Sequence, residues 1–111
     1  MNTLDRSQVS KTVRAFLETR RPGVSLREKL DFGFRFYKQS IELLEIRPKF
    51  NKPGKTEHAF AKATFVKSLG IWKIYWMRGN LKWHPYEPAQ VRSLDAFLKL
   101  VNEDKLHCFF G

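Results

Sequence analysis

The sequence predicts a single α+β domain built on an antiparallel sheet, and three observations carry that expectation. Apolar residues recur at helical spacing near both ends of the chain, the middle alternates apolar and polar residues with a period of two, and turn-forming residues interrupt that alternation at short intervals. At 111 residues, division would leave halves too small to hold a core, so one domain over residues 1–111 is expected. The predicted order is an N-terminal helix, a meander of about five antiparallel strands, a C-terminal helix and a short terminal strand.

The first helix opens at Asp5-Arg6-Ser7-Gln8, an N-cap with Gln three residues on, after which Val9, Val13, Phe16 and Leu17 share one helical face. It should stop at Arg20 or Arg21, because Pro22-Gly23 follows. From Leu30 to Tyr37 the period becomes two, with Phe32, Phe34 and Phe36 on one side and Asp31, Gly33, Arg35 and Tyr37 on the other. Lys38-Gln39-Ser40 breaks the run, and Ile41 to Arg47 resumes as an antiparallel partner ended by Pro48. After the basic loop Asn51 to Lys55, a strand beginning near Phe60 sets Ala61, Ala63 and Phe65 against Lys62, Thr64 and Val66.

Ser68-Leu69-Gly70 turns the chain into Ile71 to Met77, where Trp72, Ile74 and Trp76 form one row and Lys73 and Tyr75 the opposite row. Gly79-Asn80 reads as a two-residue hairpin loop. The strand after it, Leu81 to Tyr86, then places Leu81 and Trp83 on one face and Lys82, His84 and Tyr86 on the other. Pro85 lacks an N–H, which confines this strand to an edge or ends it there. Ser93 caps a second helix carrying Leu94, Phe97, Leu98 and Val101 on one face, with Asp95 in the first turn. Leu106 to Gly111 is apolar enough for a short strand or a packed tail. Both helices need an apolar sheet face to cover, so the row Trp72, Trp76 and Trp83 is expected to be core, with both helices on that side.

The formal net charge is +10, and its placement is the informative part. From Arg47 to Lys82 nine basic residues stand against Glu57 alone, while the remainder of the chain is nearly balanced. Such a block attracts polyanions, with nucleic acid first and acidic proteins and anionic lipid after it, although basic surfaces also serve solubility. Residues 1–14 contain no apolar run of a secretory signal, and no stretch approaches the length of a membrane helix, so a soluble protein with no membrane partner is expected. Cys108 is the lone cysteine, which excludes an intrachain disulfide and fits the reducing cytoplasm. Three scattered His and one Cys have no zinc-ligand spacing, so neither a metal nor another cofactor is expected.

Four strings carry a family likeness: Ile46-Arg47-Pro48, the run Trp72-Lys73-Ile74-Tyr75-Trp76-Met77-Arg78, the run Leu81-Lys82-Trp83-His84-Pro85-Tyr86-Glu87-Pro88, and Cys108-Phe109-Phe110-Gly111. The chain resembles the small bacterial proteins grouped as a domain of unknown function, family 3024, from Arg20-Arg21-Pro22 to the last Gly. The resemblance implies a bacterial, intracellular setting and brings no activity or catalytic residues with it.

Function is therefore read from the residues. The leading expectation is a non-catalytic nucleic-acid-binding module whose sheet face joins Lys73 and Tyr75 to Lys82, His84 and Tyr86, with Arg47 and Lys62 in the same field. Amines neutralise phosphates, while Tyr and His rings offer planes on which bases stack. A helix over that face, burying the Tyr rings and leaving the amines at its rim, is the competing expectation. A metal-dependent nuclease would use Asp31 with Glu45-x-Arg47, although the Arg stands where such cores carry Lys, and surface salt bridges account for these acids more simply. A third reading has the loop Lys49 to Lys55 dock an acidic protein. His107 and Cys108 are adjacent and would point to opposite faces of a strand, which disfavours a Cys nucleophile. His58 lies beside the basic loop, and no Gly-rich phosphate loop or Gly-x-Ser-x-Gly elbow is present.

Overall fold

A computed structural model describes residues 5–20, 30–49, 51–78 and 80–104. Within them the chain forms α1 (Arg6–Arg20), β1 (Asp31–Tyr37), β2 (Ser40–Pro48), β3 (Lys55–Val66), β4 (Ile71–Met77), β5 (Trp83–Val91) and α2 (Leu94–Glu103). The strands pair in chain order as one open antiparallel sheet, which confirms the predicted α+β meander. The expected helix exit at Pro22-Gly23 and the expected strand at Leu106 to Gly111 lie outside the described residues.

Local chemistry explains each boundary. The Asp5 carboxylate accepts the Gln8 N–H at 3.1 Å and so satisfies one of the orphan donors at the start of α1. Ser93 accepts the Ala96 N–H in the same way, and α2 ends at Asp104, a left-handed residue whose N–H returns to the Leu100 carbonyl. Lys38 and Gln39 alone connect β1 to β2, since Tyr37 already stands opposite Ser40. Strand β3 begins at Lys55, five residues before the expected start near Phe60, because Pro48 and Lys55 continue the ladder to the loop. Gly70 closes the β3–β4 turn at φ 64, a conformation that costs a glycine little, with its N–H bonded to the Val66 carbonyl.

Both helices pack on one face. Val9, Val13 and Leu17 of α1 and Phe97, Leu98 and Val101 of α2 join Ile41, Leu43, Phe60, Ala61, Ala63, Trp72 and Ile74 in one buried cluster. α1 lies over β1, where the Arg6 and Arg14 guanidinium groups stand 5.0 and 5.7 Å from the Phe36 and Phe34 rings, and α2 lies over β3, β4 and β5. The small residues Ala61 and Ala63 in the central strand let the helices approach the sheet while Phe97, fully buried, fills the space above.

The β4–β5 hairpin departs from expectation. Gly79-Asn80 does not form a two-residue loop: the Arg78 N–H bonds to the Lys82 carbonyl and the Leu81 N–H to the Arg78 carbonyl, which leaves residues 79–81 as a three-residue loop. Leu81 takes the left-handed position at its end, φ 61, where glycine is usual. The added residue shifts the register by one, so Met77 faces Trp83, Trp76 faces His84 and Tyr75 faces Pro85. In a structure of period two, a one-residue shift exchanges the two faces of the whole strand. Trp83 therefore leaves the predicted Trp row, and His84 and Tyr86 move to the helix side.

β5 runs on through Pro85 to Val91, as an edge strand can. Its register with β4 breaks between Tyr75, opposite Pro85, and Lys73, opposite Gln90, so residues 86–89 bulge out of the ladder. Tyr86 is thus core beneath α2, with only 4% of its surface exposed, and the bulge brings Val91 back to pack against the same core.

Candidate nucleic-acid interface

The registers define the face that carries no described helix. Directly opposed residues of neighbouring strands share a face, so Arg35, Glu42, Lys62, Tyr75 and Pro85 form one row across all five strands. Tyr37, Ser40, Thr64, Lys73 and Gln90 form the next. Trp83, opposite Met77, stands beside Pro85 on this same side. Each row takes one residue from each strand, which is why neither is visible in any single stretch of sequence.

Electrostatics along the first row are coupled. Glu42 is 7% exposed and accepts a hydrogen bond from Arg35 Nε at 2.8 Å, while the far side of the Arg35 side chain remains in solvent. Lys62 stands on the other side of Glu42, and its ammonium lies 4.9 Å from the centre of the Tyr75 ring and 4.8 Å from that of Trp83. Both distances are within the range of a cation–π contact. Burial lowers the Lys62 pKa below the ordinary lysine value, and the charge of Glu42 offsets part of that shift. One buried anion is thus shared between two cations, and these two rows keep an excess of positive charge in Arg35, Lys62 and Lys73.

The second row is polar, with Ser40 buried in its middle and exposed residues at both ends. Ser40 and Thr64 share a hydrogen bond of 2.7 Å, Lys73 and Gln90 are exposed, and Tyr37 at the β1 end is 61% exposed with the Lys38 ammonium 5.5 Å from its ring. Gly33 belongs to the same face, and a Cβ there would come within 3.1 Å of Ile46 Cδ1, so a side chain at this point would crowd the edge.

The structure brings together three of the residues expected at this interface and separates the other four. Lys62, Lys73 and Tyr75 share the helix-free face. Lys82 is exposed on the hairpin loop, where its N–H bonds to the Asn80 side chain. Arg47 is exposed at the end of β2 on the opposite side of the sheet, with Nε and Nη2 both 3.3 Å from Glu45. Tyr86 is core, and His84 is on the helix side beside Trp76, ring centres 6.2 Å apart. The expected pairing of His84 and Tyr86 with Lys73 and Tyr75 is thus corrected by the hairpin register. Trp83, Arg35 and Tyr37 take their place, and only the Leu81-to-Lys82 loop geometry could have signalled Trp83.

The acids of the nuclease reading are also apart. Glu45 stands opposite Phe32, so its neighbour Asp31, opposite Ile46, points to the other face, and Asp31 accepts the Phe32 N–H at 2.8 Å. Among the described residues no group of three His, Cys, Asp or Glu side chains is placed to hold a metal ion. His107 and Cys108 lie outside the described residues. No helix of the described residues is long and apolar enough to cross a membrane.

Among the described residues, a five-stranded antiparallel sheet with two helices on one face, and with Arg35, Lys62, Lys73 and the Tyr37, Tyr75 and Trp83 rings on the other, defines a small α+β domain of the open-faced kind. The family described as Domain of unknown function (DUF3024) matches residues 1–111, and the chain belongs to it. No curated protein and no solved structure matches the chain.

Proposed function

We propose that the helix-free sheet face is a non-catalytic binding surface for nucleic acid. The observation that carries this reading is the composition of two adjacent cross-strand rows: cations at Arg35, Lys62 and Lys73, rings at Tyr37 and Tyr75 with Trp83 beside them, and a single acid, Glu42, that is buried and already paired. Phosphates meet amines and a guanidinium on such a face, and bases meet flat rings, without any change in the helices behind it. The basic segment Arg47 to Lys82 contributes the wider field that draws a polyanion in. The lone cysteine and the bacterial resemblance support a bacterial cytoplasmic setting for this activity.

A salt titration of affinity for short RNA and DNA tests the reading. If Arg35, Lys62 and Lys73 each neutralise one phosphate, the log–log slope is about −2 to −3, and Lys73→Ala makes it shallower by roughly 0.7–0.9. Absence of binding at low salt ends the proposal. An acidic protein would also be drawn to these cations but has no need of the rings. Loss of binding in Tyr37→Ala together with Lys73→Ala supports nucleic acid, while loss in Lys73→Ala alone favours a protein partner.

A further inference from the structure

We infer that the recess between β4 and β5 is a pocket for one unpaired nucleobase, so that this domain holds single strands and discriminates against duplex. The inference rests on the nucleic-acid reading and names the substrate class of the same face. Its starting point is the break in the β4–β5 ladder. Tyr75 is opposite Pro85 and Lys73 opposite Gln90, which leaves Ile74 without a β5 partner and opens a cavity of about 190 Å³.

The lining residues are Lys73, Ile74, Tyr75, Pro85, Ala89 and Gln90. They suit the chemistry of a base. Tyr75 supplies a stacking plane, and Lys62 holds that ring from the β3 side while the recess opens on the β5 side. The Gln90 amide can both donate and accept, as the edge of a base requires, and the Lys73 ammonium donates to a base carbonyl or a phosphate. Pro85 and Ala89 complete a small apolar wall. The volume is below the roughly 300–1,000 Å³ of a pocket for a drug-sized ligand, which matches one planar ring system with its sugar and phosphates left outside. Those phosphates meet Lys62 and Arg35 along the row that leads away from Tyr75.

A base in a duplex has its edge paired and both faces stacked, so it enters such a recess only after unpairing. Edge bulges re-aim side chains beside functional sites in many sheets, and here the bulge takes residues 86–89 out of the ladder and leaves Ile74 with no β5 partner at the base of the recess.

Fluorescence anisotropy with three probes of equal length and label decides the matter: a single strand, its duplex, and an abasic strand with the same number of phosphates. The single strand is expected to bind about five-fold or more tightly than either of the others. Tyr75→Leu and Gln90→Ala should each weaken single-strand binding several-fold and leave the abasic strand unchanged. Gln90 is exposed, so its variant keeps the test intact if Tyr75→Leu unfolds, which circular dichroism would report. Equal affinity for all three probes, or unchanged single-strand binding in Gln90→Ala, overturns the base pocket and leaves the phosphate-binding face standing. Failure of every probe to bind at low salt overturns both.

Discussion

Trp76 and His84 face each other across the β4–β5 hairpin, ring centres 6.2 Å apart, and this pairing sets the side of the sheet that Trp83, His84, Pro85 and Tyr86 occupy. It exists because the hairpin loop holds three residues, with Leu81 at φ 61.

Leu81 is 75% exposed and held in a left-handed conformation that crowds its own Cβ. The conformation costs an L-residue roughly 1–2 kcal/mol, and glycine removes the clash while adding some freedom to the unfolded chain. Leu81→Gly should therefore raise stability by about 0.5–1 kcal/mol in a denaturant melt. A loss of stability would show that the loop is not the three-residue form.

The His84 Nε2 atom is buried and has no hydrogen-bond partner among the described residues. An unsatisfied buried polar atom costs about 1–3 kcal/mol, and a phenyl ring can take the place of imidazole beside Trp76 without that cost. His84→Phe should stabilise the fold by about 1 kcal/mol at neutral pH. Destabilisation of that size would instead reveal a hydrogen bond that His84 makes in solution.

Tyr86 and Lys82 separate the core from the surface. Tyr86 is buried beneath α2, so Tyr86→Ala should lower stability by roughly 3–5 kcal/mol, on the scale of other large aromatic truncations. Lys82 is exposed on the loop, and Lys82→Ala should leave the melting temperature unchanged. Equal, small effects of the two changes would return Tyr86 to the surface and the hairpin to a two-residue loop.

Lys62 titrates below an ordinary lysine because burial disfavours its charge, against the pull of Glu42. The folded state thus releases this proton before the unfolded chain does. The cost of holding the buried charge is fully present below the folded pKa and is relieved as pH rises towards the unfolded value of about 10.4, so this group makes stability increase with pH in that alkaline window. NMR titration of the Lys62 side chain should show the lowered pKa, and Glu42→Gln should lower it further. A rise on Glu42→Gln would mean that the two charges are not coupled.

Local patterns along the chain specify much of this fold. Alternation in Phe32-Gly33-Phe34-Arg35-Phe36, apolar spacing in Val9, Val13 and Leu17, and the Ser93 cap are local patterns, and each residue in them acts within its own turn or strand. Two helices, five strands, their order and the side of the sheet that the helices cover follow from such patterns, since apolar stripes have only one face to bury against. The partition of β4 was legible for the same reason, with Trp72 and Ile74 inward and Lys73 and Tyr75 outward.

The face of β5 depends on contacts that no local pattern contains. Leu81 and Trp83 on one side and His84 and Tyr86 on the other are each amphipathic enough to be core, so alternation within the strand is symmetric under a one-residue slip. The slip is settled by long-range packing: Tyr86 and Val91 fill the space under α2, and the loop and bulge adopt whatever geometry lets both reach it. The rows Arg35-Glu42-Lys62-Tyr75-Pro85 and Tyr37-Ser40-Thr64-Lys73-Gln90 share that character, because they consist of relations between strands and each strand holds only one member of each row.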